Sequence, residues 1–231
     1  MTNQIQHARF RNVLLACTIF LLLCGAPAFA DVIVYFQPPI LNGTLLASQN
    51  DIGGHGNFAS LYDDFVIFPE VPFYLNDVHW YGGYFNPPAQ GHITGWTISI
   101  YADAALAPGS LLWTQYFAND ASESFIGNFG GYPYYAYHED DIGSLFSLRP
   151  GTRYWLSLVP DVSFPPQWGW GVGLLGDGIA YQTFFGVRSQ VATDLAFDIS
   201  GNPVPEPSSL LLMGTGALGL AGVLRRRFFG K

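Results

Sequence analysis

The chain predicts an all-β fold, an antiparallel β-sandwich of jelly-roll type, flanked by an N-terminal signal peptide and a C-terminal transmembrane helix. Three observations carry that expectation. Short runs rich in Val, Ile, Tyr, Phe, Trp and Thr recur between clusters of Gly, Pro, Asn and Asp, as half-buried strands and their turns require. No long 3.6-residue periodicity interrupts them between the two ends. Aromatic residues make up 16% of the chain and charged ones 11%, so large side chains can build a core without disulfides.

The strand-like runs follow in order. VIVYF occupies residues 32–36, DDFVIF 63–68 and DVHWYG 77–82. Residues 94–103, TGWTISIYAD, alternate with period two, so Trp96, Ile98 and Ile100 are expected on a buried face opposite Thr97, Ser99 and Tyr101. SLLWTQYF (110–117), SLFSL (144–148), TRYWLSLV (152–159) and DLAFDI (194–199) continue the series. Spacing of this kind, broken by turn residues, suggests a sandwich or jelly roll spanning 31–202.

The charges separate by region. Only Arg149, Arg153 and Arg188 lie between Asp31 and Pro203, against 16 Asp and Glu, giving that segment a formal charge of 3 − 16 = −13. A nucleic-acid backbone needs a basic face, so nucleic acid is excluded as a partner. The remaining basic residues serve the ends. Arg9 and Arg11 precede the apolar run at 13–23, and Ala28-Phe29-Ala30 follows it, the small-x-small pattern that signal peptidase accepts. Residues 1–30 thus read as a signal peptide cleaved after Ala30, with Asp31 the new N-terminus. A lipidated Cys24 is the rival, though Leu23 before it is large where lipobox sequences have a small residue. Both cysteines, Cys17 and Cys24, belong to this segment.

The C-terminus has three parts in order. Val204-Pro205-Glu206-Pro207 is a rigid, extended stretch. Residues 208–224 are uncharged and rich in Gly and Leu, nearly long enough as a helix to cross a ~30 Å hydrocarbon core. Arg225, Arg226 and Arg227 then stop transfer on the cytoplasmic side. This arrangement, over 203–231, resembles the PEP-CTERM sorting tail of exported Gram-negative proteins. The resemblance implies processing by an exosortase, a membrane protease. It implies passage through the inner membrane to the cell surface or beyond, in a host that makes exopolysaccharide. A plain membrane anchor with the same helix stays open. The pattern around Asp63-Asp64-Phe65, Trp80, residues 98–102, Pro108-Gly109, Tyr154-Trp155-Leu156 and residues 194–197 also resembles a sandwich module common among PEP-CTERM proteins, which implies a fold and no activity.

Chemistry in the middle segment is sparse. Gly171-Val172-Gly173-Leu174-Leu175-Gly176 matches G-x-G-x-x-G but lacks the strand-then-helix context of a dinucleotide site, and reads as a loop or glycine-rich strand. Asp63-Asp64 and Glu139-Asp140-Asp141 offer hard oxygen ligands, candidates for a structural Ca²⁺, against the alternative of solvated strand-edge charge. The histidines show no zinc spacing, and no G-x-S-x-G elbow occurs. Trp168 and Trp170 lie in PPQWGWG, a Pro/Gly-rich stretch, and are the candidate glycan-stacking pair. Three functions compete: a non-enzymatic surface or matrix protein associated with exopolysaccharide, a carbohydrate-binding module, and a glycan-active hydrolase using paired acids.

Overall fold

The computed structural model describes residues 31–68, 71–119, 121–142, 146–204, 213–217 and 219. The chain divides into two units, 1–30 and 31–231, and all described residues belong to the second. Ala28, Ala30, Pro205, Glu206, Pro207 and Arg225 to Arg227 lie outside the described residues. Residues 213–217 are helical, and among the described residues no helix is long and apolar enough to cross a membrane.

The unit is built from strands β1 (Val32–Gln37), β2 (Leu45–Ala47), β3 (Gln49–Asp51), β4 (Gly56–Val66), β5 (Phe73–Phe85), β6 (Ile93–Asp103), β7 (Pro108–Phe117) and β8 (Ser124–Phe129). These are followed by β9 (Tyr132–Glu139), β10 (Ser147–Leu148), β11 (Arg153–Val162), β12 (Gln167–Gly173), β13 (Ala180–Phe184), β14 (Val187–Val191), β15 (Asp194–Leu195) and β16 (Phe197–Pro203). They form two sheets. One runs β1-β16-β5-β12-β15, with β9 and β10 also on β5, β8 on β9 and β2 on β12. The other runs β14-β13-β4-β3-β11-β6-β7. The pairings are antiparallel except for one parallel contact of β3 with β11. The all-β sandwich expected from the sequence is the fold observed.

The core lies between the sheets, and its centre is aromatic. Trp80 on β5, Tyr137 on β9 and Trp168 on β12 come from one sheet, and Trp96 on β6 enters from the other. Trp96 meets Trp80 edge-on at 4.7 Å and Trp168 at 4.9 Å, the tilted geometry that ring quadrupoles favour. Gly82 makes this possible: a Cβ there would come within 2.3 Å of the Trp168 ring. Trp96, Ile98 and Ile100 are fully buried together, as their period-two spacing predicts.

One expectation changes. Trp168 and Trp170 are not surface residues: both are 0% exposed. W-G-W-G is a strand, not a loop. Its tryptophans alternate inward while Gly169 and Gly171 face out, and β12 is covered by β5 and then β15 along one edge and by β2 on the other. The Trp168 indole N–H donates to the Tyr137 hydroxyl (3.1 Å) and that of Trp170 to the Ala196 carbonyl (2.9 Å), so their polar handles are used internally. The final strand runs on through Gly201. β16 bulges between Ser200 and Gly201 and continues to Pro203, paired with Phe73. A Cβ on Gly201 would meet the Tyr74 carbonyl oxygen at 2.3 Å, so the glycine allows close strand approach instead of ending the strand.

Candidate functional site

Antiparallel pairing of β1 with β16 brings the first and last strands together. Val32 lies opposite Gly201, which sets Asp31 beside the end of the last strand. The chain leaves the sheet at Val204, whose N–H donates to the Pro72 carbonyl (2.9 Å). Asp31 and the start of the tail segment therefore share one pole of the sandwich.

Carboxylates gather at that pole. Asp31, Asp77 and Asp141 each offer an oxygen, all within 4.8 Å of one another. Asp77 on β5 is buried. Its Oδ1 accepts from the Asp141 backbone N–H (2.9 Å) and Asn76 Nδ2 (3.0 Å), and its Oδ2 from Ser200 Oγ (2.7 Å). Asn76 Nδ2 also donates to Asp31 Oδ2 (3.0 Å). Oxygen donors in this arrangement suit Ca²⁺, while the amide, hydroxyl and backbone donors already offset part of the repulsion.

The run Glu139-Asp140-Asp141 does not act as one group. Glu139 is buried at the end of β9, and Asp141, in the left-handed region at φ 52°, turns toward Asp77. Asp140 is exposed and meets His79 Nε2 (3.1 Å) and His138 Nε2 (3.6 Å), two histidines opposite each other on β5 and β9. His79 Nδ1 also reaches Asp198 (3.2 Å). The hydrogen bond to Asp198, with the Asp140 carboxylate, raises His79 to about 9 against the opposing effect of burial.

Asp63 and Asp64 also separate, because adjacent residues of a strand face opposite sides. Asp63 is sealed between the sheets, accepting from the Leu195 N–H (2.6 Å) and the Asp64 N–H (3.0 Å). The Gln37 side-chain amide lies 2.8 Å from it and donates to it once its amide is oriented with nitrogen inward. Burial pushes its carboxyl well above the usual range. Asp64, on the outer face, pairs with Arg153, which also binds Asp177 (2.8 Å). Burial and the Asp177 charge, opposed by Arg153, raise Asp64 to about 7. The two residues thus form no common ligand set, correcting their grouping as one calcium candidate.

At the opposite pole lies a cleft of about 170 Å³ that sequence reasoning missed. Phe58 forms its buried floor, and Phe164, Phe184 and Phe185 stand around it with ring centroids 6.3, 5.9 and 5.7 Å away. His55, Asn86 and Gln167 supply its polar lining. Asp51, whose side chain is 1% exposed, ties the rim together. Its carboxylate accepts the N–H groups of Gly53 (2.8 Å), His55 (2.9 Å) and Phe164 (2.8 Å), and His55 Nδ1 at 2.5 Å. Burial opposes ionisation, but these donors hold Asp51 well below the usual carboxylate range. The only signals in the sequence were Phe184-Phe185-Gly186 between two β-prone runs and Phe164 before a proline pair.

The model of the PEP-CTERM protein-sorting motif matches residues 203–227. No curated protein matches the chain.

Proposed function

From a chain that carries a PEP-CTERM sorting motif, and is thereby an exported, membrane-transiting protein addressed to an exosortase-type protease, we propose a non-enzymatic protein of the cell surface or extracellular matrix, associated with exopolysaccharide. The observation that carries this reading is the position of the motif, which begins where β16 leaves the sheet. The motif overlaps the last strand only at Pro203, so a cut beyond that residue leaves the sandwich's strands whole. Signal peptidase releases the chain before Asp31, and the Arg225–Arg227 cluster holds the tail at the inner membrane during sorting. A structural Ca²⁺ at the pole formed by Asp31, Asp77 and Asp141 belongs to the same proposal.

Fractionation and intact mass in the host, with and without its exosortase, test the sorting step. The tail is lost only when the protease is present, and Glu206→Ala leaves membrane insertion intact while impairing processing. A tail that persists equally in both hosts makes the protein a plain anchored one. The non-enzymatic part is checked separately: the purified protein leaves the viscosity of the host polysaccharide unchanged, and a fall in viscosity favours a hydrolase.

A further inference from the structure

We propose that the aromatic cleft lined by Phe58, Phe164, Phe184, Phe185 and His55 binds a single uncharged sugar ring of a polysaccharide, an inference that rests on the exopolysaccharide association proposed above. Four observations support this occupant. The first is the surface itself. Phe185 is 65% exposed, Phe184 40% and Phe164 37%; all three rings pack on the buried Phe58, and Phe184 and Phe185 also touch each other. An apolar C–H face of a pyranose is the complement of a phenyl face.

The second is the polar lining. Asn86 and Gln167 each carry an amide donor and acceptor. The ionised Asp51 can only accept, so His55 Nδ1 carries the proton toward it and Nε2 remains for a ligand hydroxyl. Mixed donors and acceptors around an aromatic wall match the alternating C–H and O–H character of a sugar, and a purely hydrocarbon ligand would leave them unused.

The third is size and charge. The cleft's 170 Å³ falls below the ~300–1,000 Å³ of pockets that enclose drug-sized ligands, so it holds one ring of a chain and leaves the rest outside. Its lining has no Lys or Arg, and the segment around it carries a formal charge of −13, which disfavours an anionic sugar.

The fourth is placement. β5 runs from Phe73, opposite Pro203 where the tail departs, to Phe85, opposite Gln167 at the cleft. Its 13 residues span up to ~40 Å at about 3.3 Å each. The cleft therefore lies at the pole away from the point where the chain leaves the last strand. Asp51 prepares the site without touching the ligand: by holding Gly53, His55 and Phe164 it orders the rim before binding.

The test is affinity electrophoresis of the full-length protein in mild detergent, through gels containing hydroxyethylcellulose, galactomannan, dextran or polysaccharide extracted from the host culture. The wild type is retarded in at least one gel. Phe184→Ala/Phe185→Ala binds that polymer at least about tenfold more weakly while melting at nearly the wild-type temperature. Leu175→Ala, at a still more exposed apolar residue outside the cleft, changes nothing. Wild-type mobility unaltered in all four gels overturns the proposal, as does retardation that survives the double substitution. A dimer in sedimentation that the double variant converts to monomer, with no gel retardation, makes the cleft a self-contact instead. Tail processing in the host is measured on the same variants and stays normal, so failure of the cleft and failure of the sorting reading give different results.

Discussion

Replacing Asp51 by Ala removes one carboxylate that ties its own turn to the β11–β12 connection. Its oxygens accept the backbone N–H groups of Gly53, His55 and Phe164 at 2.8–2.9 Å and the His55 ring. A hydrogen bond to a charged group contributes about 1.5–3 kcal/mol, so three N–H bonds set an upper bound near 5–9 kcal/mol. Gly53 and His55 lie on an exposed turn, where water replaces much of what they lose. The expected loss is therefore about 3 kcal/mol, or roughly 6–12 °C in Tm for a domain of this size. Thermal unfolding followed by near-UV circular dichroism reads it. The pH dependence gives a second check. The folded carboxyl is held below its ordinary value of 3.8, so its stabilisation is present above that pH and lost as pH falls through the folded value. The gap between wild type and Asp51→Ala should stay constant from pH 7 to about pH 5 and close in strong acid. A Tm shift below about 2 °C, or a gap that closes toward alkaline pH, refutes the assignment of Asp51 as the rim's tie.

Three other outcomes are expected. Trp168→Ala empties a fully buried site and breaks the bond to Tyr137, so urea denaturation should show a loss of about 3–5 kcal/mol, whereas a surface binding residue would change little. His79, raised from 6.5 to about 9 by Asp198 and Asp140, stabilises the fold fully below pH 6.5 and loses that contribution as pH rises through 9; Tm should fall across this window, and His79→Gln should remove that component. A chelator should lower Tm if Ca²⁺ fills the Asp31–Asp77–Asp141 group, by up to about 2.7 kcal/mol at hundredfold excess over Kd, and an unchanged Tm assigns the group's stability to Asn76, Ser200 and the Asp141 N–H alone.

Most strands and the sorting motif were legible in local sequence. Period-two alternation at Trp96, Ile98 and Ile100 is a local property of a strand with one buried face, so the buried side could be read without a structure. The sorting motif at 203–227 is local as well, since an enzyme reads it as a contiguous address. The same local logic misled at Trp168 and Trp170, where Gly and Pro signalled a loop. Those glycines instead make room for packing: a Cβ on Gly169 would crowd Phe85 and Leu45 at 2.8 and 2.9 Å. Which acids meet depends on the fold. Asp63 and Asp64 are neighbours in sequence and point apart across a sheet, while Asp31, Asp77 and Asp141 are distant in sequence and converge. It likewise assembled the cleft, whose rings come from the β3–β4 turn region, the β11–β12 connection and the β13–β14 hairpin. Alternation along a strand is fixed by backbone geometry over two residues. Juxtaposition of loops at a sandwich pole depends on the order in which strands pair, which no short window of sequence contains.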